Sequence, residues 1–200
     1  MSNIACVTHK IKLPVGGRKD KFDAFATKLV ALYNKLDAKD GKETILAELV
    51  KEAAEIRGEE APDFDLRAFV ESIEVRAAEN GEKEIIVEES ACWNPKDDAW
   101  DYAMSVHPDF LYAWNSIEYG NREFLRYDPN DILTDDENFH AFFLVNDDYD
   151  GEDDAVDMFE SYATEKELVE RVNALYGTAF SSFEEIDEVD DDRYSVYTSL

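Results

Sequence analysis

Negative charge is the feature that most constrains this chain, because it is unevenly distributed. The 200 residues include 48 acidic and 20 basic side chains, for a formal net charge of −28. Residues 1–83 hold 16 acidic and 14 basic residues, whereas residues 84–200 hold 32 and 6. Like charges at this density repel one another in a compact state and lower its stability. A localised excess favours a partner with a basic face over adaptation to high salt, which would acidify both parts of the chain.

Apolar residues are frequent enough to build a packed core, since 44% of the chain is hydrophobic and 12% is aromatic. In the first part of the chain, periodicity predicts a strand over 5–13, helices over 20–36 and 45–56, a third short helix over 66–72, and a β-hairpin of 73–77 with 84–88 around Asn80-Gly81. Farther on, it predicts a helix over 97–107, strands over 110–119, 124–127 and 139–145, a helical segment within 156–175, and a last strand over 193–200.

This order of elements predicts an α+β fold. We expect an antiparallel sheet with helices packed on one face and with ferredoxin-like elements, preceded by a helix-rich N-terminal part. Two domains are predicted: a near-neutral subdomain of residues 1–70 and an acidic α+β domain of residues 71–200.

Three short stretches carry a family resemblance. They are Ser90-Ala91-Cys92-Trp93-Asn94-Pro95, His107-Pro108-Asp109-Phe110 and Glu118-Tyr119-Gly120, with a helix and a strand between them. Together, residues 84–120 resemble the YubB-type ferredoxin-like domain of plasmid and phage proteins. Cys92, which directly precedes Trp93, departs from the family pattern. The resemblance implies a ferredoxin-like fragment and an origin in a mobile element, and it implies no catalytic residue.

One acidic loop partly fits a calcium-binding pattern. Asn146, Asp148 and Asp150 occupy positions 1, 3 and 5 of an EF-hand loop, with Gly151 at position 6. Position 12 is Asp157, which is shorter than the usual bidentate glutamate, and the residues that enter the loop have strand character. The alternative is an acidic loop that follows a strand, with weak and diffuse cation binding.

No motif for catalysis or for a cofactor is present in the sequence. Cys6 and His9 have a C-x-x-H spacing, but a zinc site needs two further ligands, and on a strand these two positions face opposite sides. Cys92 could form a dyad with His107 or His140 only if the fold brought them together. We therefore expect no enzyme activity and no cofactor.

The acidic runs are the best candidate for a functional surface. Direct binding to nucleic acid or to an anionic membrane is opposed by this charge. Carboxylates on a folded surface can instead imitate the phosphates of DNA, and by composition the chain is similar to the acidic anti-restriction and anti-CRISPR inhibitors of phages and plasmids. The predicted partner-binding face comprises Asp128, Asp131, Asp135, Asp136, Glu137, Asp147, Asp148, Asp150, Glu152, Asp153, Asp154, Asp157, Glu184, Glu185, Asp187, Glu188, Asp190, Asp191 and Asp192.

The hypothesis is a non-enzymatic inhibitor that occupies the basic groove of a nucleic-acid-binding host defence protein. Two alternatives remain: a calcium-binding protein that uses Asn146, Asp148, Asp150 and Asp157, or a mobile-element accessory domain with a non-DNA partner. The N-terminus has no basic region followed by an apolar run, so a cytoplasmic location is expected.

Overall fold

The computed structural model describes residues 4–37, 45–77, 82–92, 95–133, 137–147, 154–189 and 191–199. Within these residues the protein is α+β, with two antiparallel sheets and five helices, which confirms the predicted fold class. None of the helices in the described part of the chain combines the length and apolarity that crossing a membrane requires.

The chain forms two compact units. The N-terminal unit consists of Met1–Glu118 and Leu125–Leu133, and the C-terminal unit consists of Tyr119–Phe124 and Thr134–Leu200. The predicted domain boundary between residues 70 and 71 falls inside a strand of the N-terminal unit, and the first strand of the chain lies in the same sheet. The sheet topology therefore does not separate residues 1–70 from the residues that follow them.

The first eight elements of the chain are β1 (Ile4–Lys12), α1 (Lys19–Asp37), α2 (Ile45–Arg57), β2 (Ala68–Ala77), β3 (Lys83–Cys92), α3 (Asp97–Met104), β4 (Leu111–Glu118) and β5 (Glu123–Tyr127). Strands β1 to β5 form one sheet in the order β2-β3-β1-β4-β5. β1 alternates buried and exposed residues over most of its length, and its apolar positions join those of α1, α2 and α3 in one core. Trp100 of α3 and Phe22 of α1 are the largest fully buried side chains of that core.

The predicted short helix over 66–72 is wrong, because β2 begins at Ala68. Phe69, Val70 and Ile73 are aromatic or β-branched, and such residues favour extended backbone. The strand pairs with β3 from Ala68 onward and carries an irregularity between Val70 and Ser72. The predicted hairpin is confirmed, although Asn80-Gly81 itself lies outside the described residues.

The C-terminal unit contains β6 (Phe139–Asp147), β7 (Asp154–Tyr162), α4 (Glu165–Tyr176), α5 (Phe183–Asp187) and β8 (Tyr194–Thr198). Its three strands lie in the order β7-β6-β8. The residues of its core come from β6, α4, α5 and β8, and they are Ala141, Phe143, Leu168, Val169, Val172, Ile186, Tyr194 and Val196. His140 of β6 lies among the rings of Phe124 and Phe159, and its two ring nitrogens contact the hydroxyls of Ser161 and Ser199.

The predicted helical segment over 156–175 is half correct. Residues 154–162 are strand β7, which is antiparallel to β6: Phe139 is paired with Tyr162 at one end and Asp147 with Asp154 at the other. The helix starts only after Thr164, whose hydroxyl accepts the N–H of Glu167 while the Glu167 carboxylate accepts the N–H of Thr164. This capping box satisfies two N–H groups that a helix start leaves open, so it fixes the start of α4.

Candidate interaction surface

The charge excess is denser in the C-terminal unit. That unit contains 22 acidic and 4 basic residues, a net charge of −18, whereas the larger N-terminal unit contains 26 and 16, a net charge of −10. The contrast is less steep than the split of the sequence at residue 84 implies, because residues 84–118 belong to the N-terminal unit. The C-terminal unit nevertheless has the larger excess on fewer residues.

The basic residues of the C-terminal unit are all engaged within that unit. Their partners are Glu160 for Arg171, Asp191 for Arg193, Glu170 for Lys166, and the backbone carbonyl of Asp192 for Arg122. Arg171 binds through two hydrogen bonds of 3.0 and 2.7 Å, and this contact lowers the pKa of Glu160. The surface charge of the unit is therefore set by the carboxylates that have no such partner.

The helix α5 carries the first part of the acidic run over residues 184–192. Ser182 caps the helix by accepting the N–H of Glu185, and Ile186 is fully buried against the core, so the run belongs to the folded unit and is not a free tail. Glu185 accepts the N–H of Ser181 at 2.6 Å, which lowers its pKa. Three further carboxylates on α5 or directly after it are exposed and make no side-chain contact with a described cation; they are Glu184, Asp187 and Glu188.

The residues that follow α5 are held by an arginine. Asp191 accepts hydrogen bonds from the guanidinium of Arg193 at 2.8 and 2.6 Å, and this pairing lowers the pKa of Asp191. Asp192 is exposed, and its carbonyl accepts a hydrogen bond from Arg122. Asp192 therefore adds a carboxylate to the surface, whereas most of the Asp191 carboxylate is already satisfied.

A groove of about 440 Å³ lies between α5, the segment after it and β8. Four of its lining residues are acidic: Asp187, Glu188, Asp191 and Asp192. Apolar and hydroxyl-bearing residues line the rest, together with Arg122; they are Ile186, Val189, Tyr194, Ser195, Val196 and Tyr197. The acidic run of the sequence thus borders a concave site that periodicity and composition do not reveal.

Tyr194 stands out in this groove. It is only 5% exposed, and its hydroxyl has no hydrogen-bond partner among the described residues. Burial raises the pKa of this hydroxyl, so it stays protonated at neutral pH. A buried polar atom without a partner is uncommon in folded proteins and calls for an explanation.

Some residues of the predicted face lie elsewhere. Asp128, in the N-terminal unit, turns inward, because its carboxylate accepts the N–H groups of Ile132 and Leu133, both at 2.8 Å, and its side chain is 5% exposed. Asp131, also in that unit, and Glu137, in the C-terminal unit, are exposed. Asp135, Asp136, Asp148, Asp150, Glu152, Asp153 and Asp190 lie outside the described residues, and for Asp147, Asp154 and Asp157 only the backbone is described.

The backbone around the candidate calcium loop is a β-hairpin. Asn146 pairs with Ala155 and Leu144 pairs with Asp157, so two candidate ligands lie on neighbouring strands. An EF-hand loop instead leads into a helix, and here residues 154–162 continue as strand β7. In the described part of the chain, no cluster of three or more His, Cys, Asp or Glu side chains is arranged to hold a metal ion.

Both cysteines are free thiols, and the three histidines pack against aromatic rings. Cys6 is exposed whereas His9 is fully buried, as the alternation of a strand requires. Cys92 is half-buried at the end of β3, and His107 packs against Phe25 and Phe110 in the core of the N-terminal unit. Burial lowers the pKa of His107, which keeps it neutral at physiological pH.

The structure also shows a buried polar cluster in the N-terminal unit that was not predicted from the sequence. The Glu89 carboxylate accepts the indole N–H of Trp100 at 3.1 Å, and its other oxygen lies 3.7 Å from Nε2 of His9. Nδ1 of His9 contacts the hydroxyl of Tyr112 at 2.9 Å. His9 and Glu89 are the polar exceptions in alternating apolar strands, and that interruption is the signal from which the cluster could have been found.

Comparison with protein-family models, with curated proteins and with solved structures gives no match. What the protein does therefore has to be inferred from its own charges, groove and contacts.

Proposed function

We propose that the protein is a DNA mimic that binds a basic, nucleic-acid-binding protein and blocks its nucleic-acid site. The C-terminal unit would supply the mimicking surface. One observation carries the proposal: this unit has a net charge of −18, and all four of its basic residues are engaged within it.

The charge density of DNA makes the imitation physically reasonable. Duplex DNA has about one negative charge per 1.7 Å of its axis, and a protein that binds DNA displaces counterions from that charge. Exposed carboxylates on rigid elements can occupy the same lysine and arginine side chains. Glu184, Asp187 and Glu188 meet this requirement, since they lie on or directly after a helix anchored by buried Ile186.

A host defence protein of the kind that acts on foreign DNA is the partner we favour. This part of the proposal is supported by similarity of composition to acidic anti-restriction and anti-CRISPR inhibitors and by the mobile-element character of the YubB-type resemblance over residues 84–120. We also propose that the N-terminal unit is ferredoxin-like. Its sheet order is β2-β3-β1-β4, and along the chain helices follow β1 and β3. Both features support a β-α-β-β-α-β arrangement.

The proposal is tested by capture from a lysate of the source cell with three baits. The first is the wild-type protein. The second carries Glu137→Gln, Glu184→Gln, Asp187→Asn and Glu188→Gln in the C-terminal unit. The third carries the same change in net charge on exposed residues of the N-terminal unit: Glu55→Gln, Glu60→Gln, Asp63→Asn and Glu71→Gln.

We expect the wild-type and third baits to capture the same DNA-binding protein and the second bait to lose it. Added duplex DNA should release that protein from the beads. Equal loss from the second and third baits would show that only total charge matters. A captured partner that DNA does not release would rule out mimicry.

A further inference from the structure

We propose that the groove between α5 and β8 binds the guanidinium of an arginine side chain from the partner protein. This inference rests on the proposed function, because it names the contact through which the acidic surface would engage a basic partner. Three features of the groove support it: its free carboxylates, its unpartnered hydroxyl and its tyrosines.

The carboxylates of the groove favour a cation. Asp187, Glu188 and Asp192 are exposed, and Asp191 already shares its charge with Arg193. Arg122 contributes one positive charge and donates to the Asp192 carbonyl. The lining thus keeps a negative balance after these contacts are counted, and an anion such as phosphate would be repelled.

The Tyr194 hydroxyl gives a second, independent indication of a ligand. It is buried at the groove and finds no acceptor or donor among the described residues, so the free protein leaves a polar atom unsatisfied. Leaving such an atom unpaired destabilises the free protein. The hydroxyl oxygen is enclosed in the free protein, so a donor that enters the groove reaches it only when the Tyr194 side chain shifts. A guanidinium presents five N–H donors in a planar fork for that contact.

The shape and chemistry of the lining favour arginine over lysine. A guanidinium binds carboxylates through two parallel hydrogen bonds, and its flat face packs on aromatic rings. The protein already uses the first geometry for Arg193 on Asp191, and it places the Arg193 guanidinium 4.8 Å from the ring centre of Tyr176. Tyr194 and Tyr197 also line the groove, and its volume of about 440 Å³ accommodates a side chain of this size.

The groove is also placed where an extended segment of a partner could approach. β8 is an edge strand, since the sheet order is β7-β6-β8. Arg193 and Ser199 make the flanking backbone hydrogen bonds to β6, so the alternation of an antiparallel pair turns the backbone of Val196 away from β6. A partner segment alongside β8 could therefore deliver an arginine to the carboxylates.

The test measures the affinity of an arginine-rich peptide by calorimetry at about 0.1 M salt, where long-range attraction between exposed charges is largely screened. The same peptide with citrulline in place of arginine removes the charge, and a lysine version removes the planar fork. Amide chemical shifts of Tyr194 and Val196 report whether the peptide occupies the groove. We expect the arginine peptide to bind there, the lysine peptide to bind more weakly and the citrulline peptide not to bind.

Two variants locate the contact. Asp187→Asn with Glu188→Gln should weaken arginine-peptide binding about tenfold or more, because charge-assisted hydrogen bonds are lost. Tyr194→Phe should weaken it about fivefold and leave the free protein as stable as before or more stable, since the removed hydroxyl has no partner there. A merely structural role for this hydroxyl would change stability in the opposite direction.

The matched control is Glu60→Gln with Asp63→Asn, which makes the same change in net charge on exposed residues of the N-terminal unit that do not line the groove. It should change the affinity by less than about threefold. The inference is overturned if Tyr194→Phe and Asp187→Asn with Glu188→Gln bind no more weakly than this control, or if lysine binds as tightly as arginine. That failure is distinguishable from failure of DNA mimicry, which would appear as a partner that duplex DNA does not displace.

Discussion

Removal of the Glu89 carboxylate should strongly destabilise the N-terminal unit. Glu89 is 2% exposed and lies beside two polar groups: the indole N–H of Trp100, which donates to its carboxylate at 3.1 Å, and Nε2 of His9, which lies 3.7 Å from its other oxygen. The ring of His9 stacks on Trp100 with 4.3 Å between ring centres, so the three side chains form one packed cluster. Glu89→Ala would leave the indole N–H buried and unpaired and would open a cavity beside both rings.

The expected loss follows from these two effects. An unsatisfied buried donor costs about 1–3 kcal/mol. Loss of the one buried methylene that alanine does not retain adds about 0.8 kcal/mol. Together the two effects predict a loss of about 2–4 kcal/mol in the free energy of unfolding.

Urea unfolding followed by tryptophan fluorescence measures this loss. All three tryptophans, Trp93, Trp100 and Trp114, belong to the N-terminal unit, so their signal reports that unit. Glu89→Gln is the matched control, because its amide oxygen can still accept the indole N–H, and it should lose less than about 1.5 kcal/mol. A loss below about 1 kcal/mol for Glu89→Ala would refute the reasoning.

Three further predictions concern the C-terminal unit. Asn173→Ala removes hydrogen bonds to Thr178 and to both backbone groups of Phe180, so hydrogen exchange of residues 177–183 should accelerate and the unit should lose about 2 kcal/mol. Arg171→Met should lose no more than about 1 kcal/mol near neutral pH, because Glu160 and Arg171 are partly exposed. Arg171 holds the pKa of Glu160 below its ordinary value of 4.5. The stability lost on Arg171→Met should therefore be fully present above pH 4.5 and should disappear as the pH falls through the lowered pKa of Glu160. Equal losses near pH 7 and pH 3, measured by chemical unfolding, would contradict this origin. Raising salt from about 0.01 to about 0.5 M should stabilise the unit by screening its self-repulsion, and hydrogen exchange that is unchanged across that range would contradict the prediction.

Local periodicity was sufficient to predict most elements of the fold. β1, α1 and α2 each show one clean period, and each lies within a residue or two of its predicted position. Two segments were assigned to the wrong element where a short apolar run fits both periods, and α5 was not predicted. At β2 and β7 the pairing of strands decides the outcome, and pairing depends on residues distant in sequence.

The candidate site was less accessible from the sequence. The acidic run over 184–192 was found by counting, but the groove was not, because it needs α5 and β8 side by side. Asp128 shows the opposite error, a residue that was predicted to belong to the binding surface but does not. Its carboxylate accepts two backbone N–H groups of its own turn. Composition measures how much charge a chain has, whereas only the fold shows which charges remain available.

Competition between the protein and duplex DNA for one captured partner tests DNA mimicry most directly. The partner is held at fixed concentration, labelled duplex DNA is bound to it, and the protein is added at several salt concentrations. The account predicts complete displacement of the DNA, with a binding constant for the protein that falls linearly with salt on logarithmic axes, as it does for a polyanion. A complex that contains the partner, the DNA and the protein together, with a binding constant for the protein that does not depend on the salt concentration, would contradict DNA mimicry.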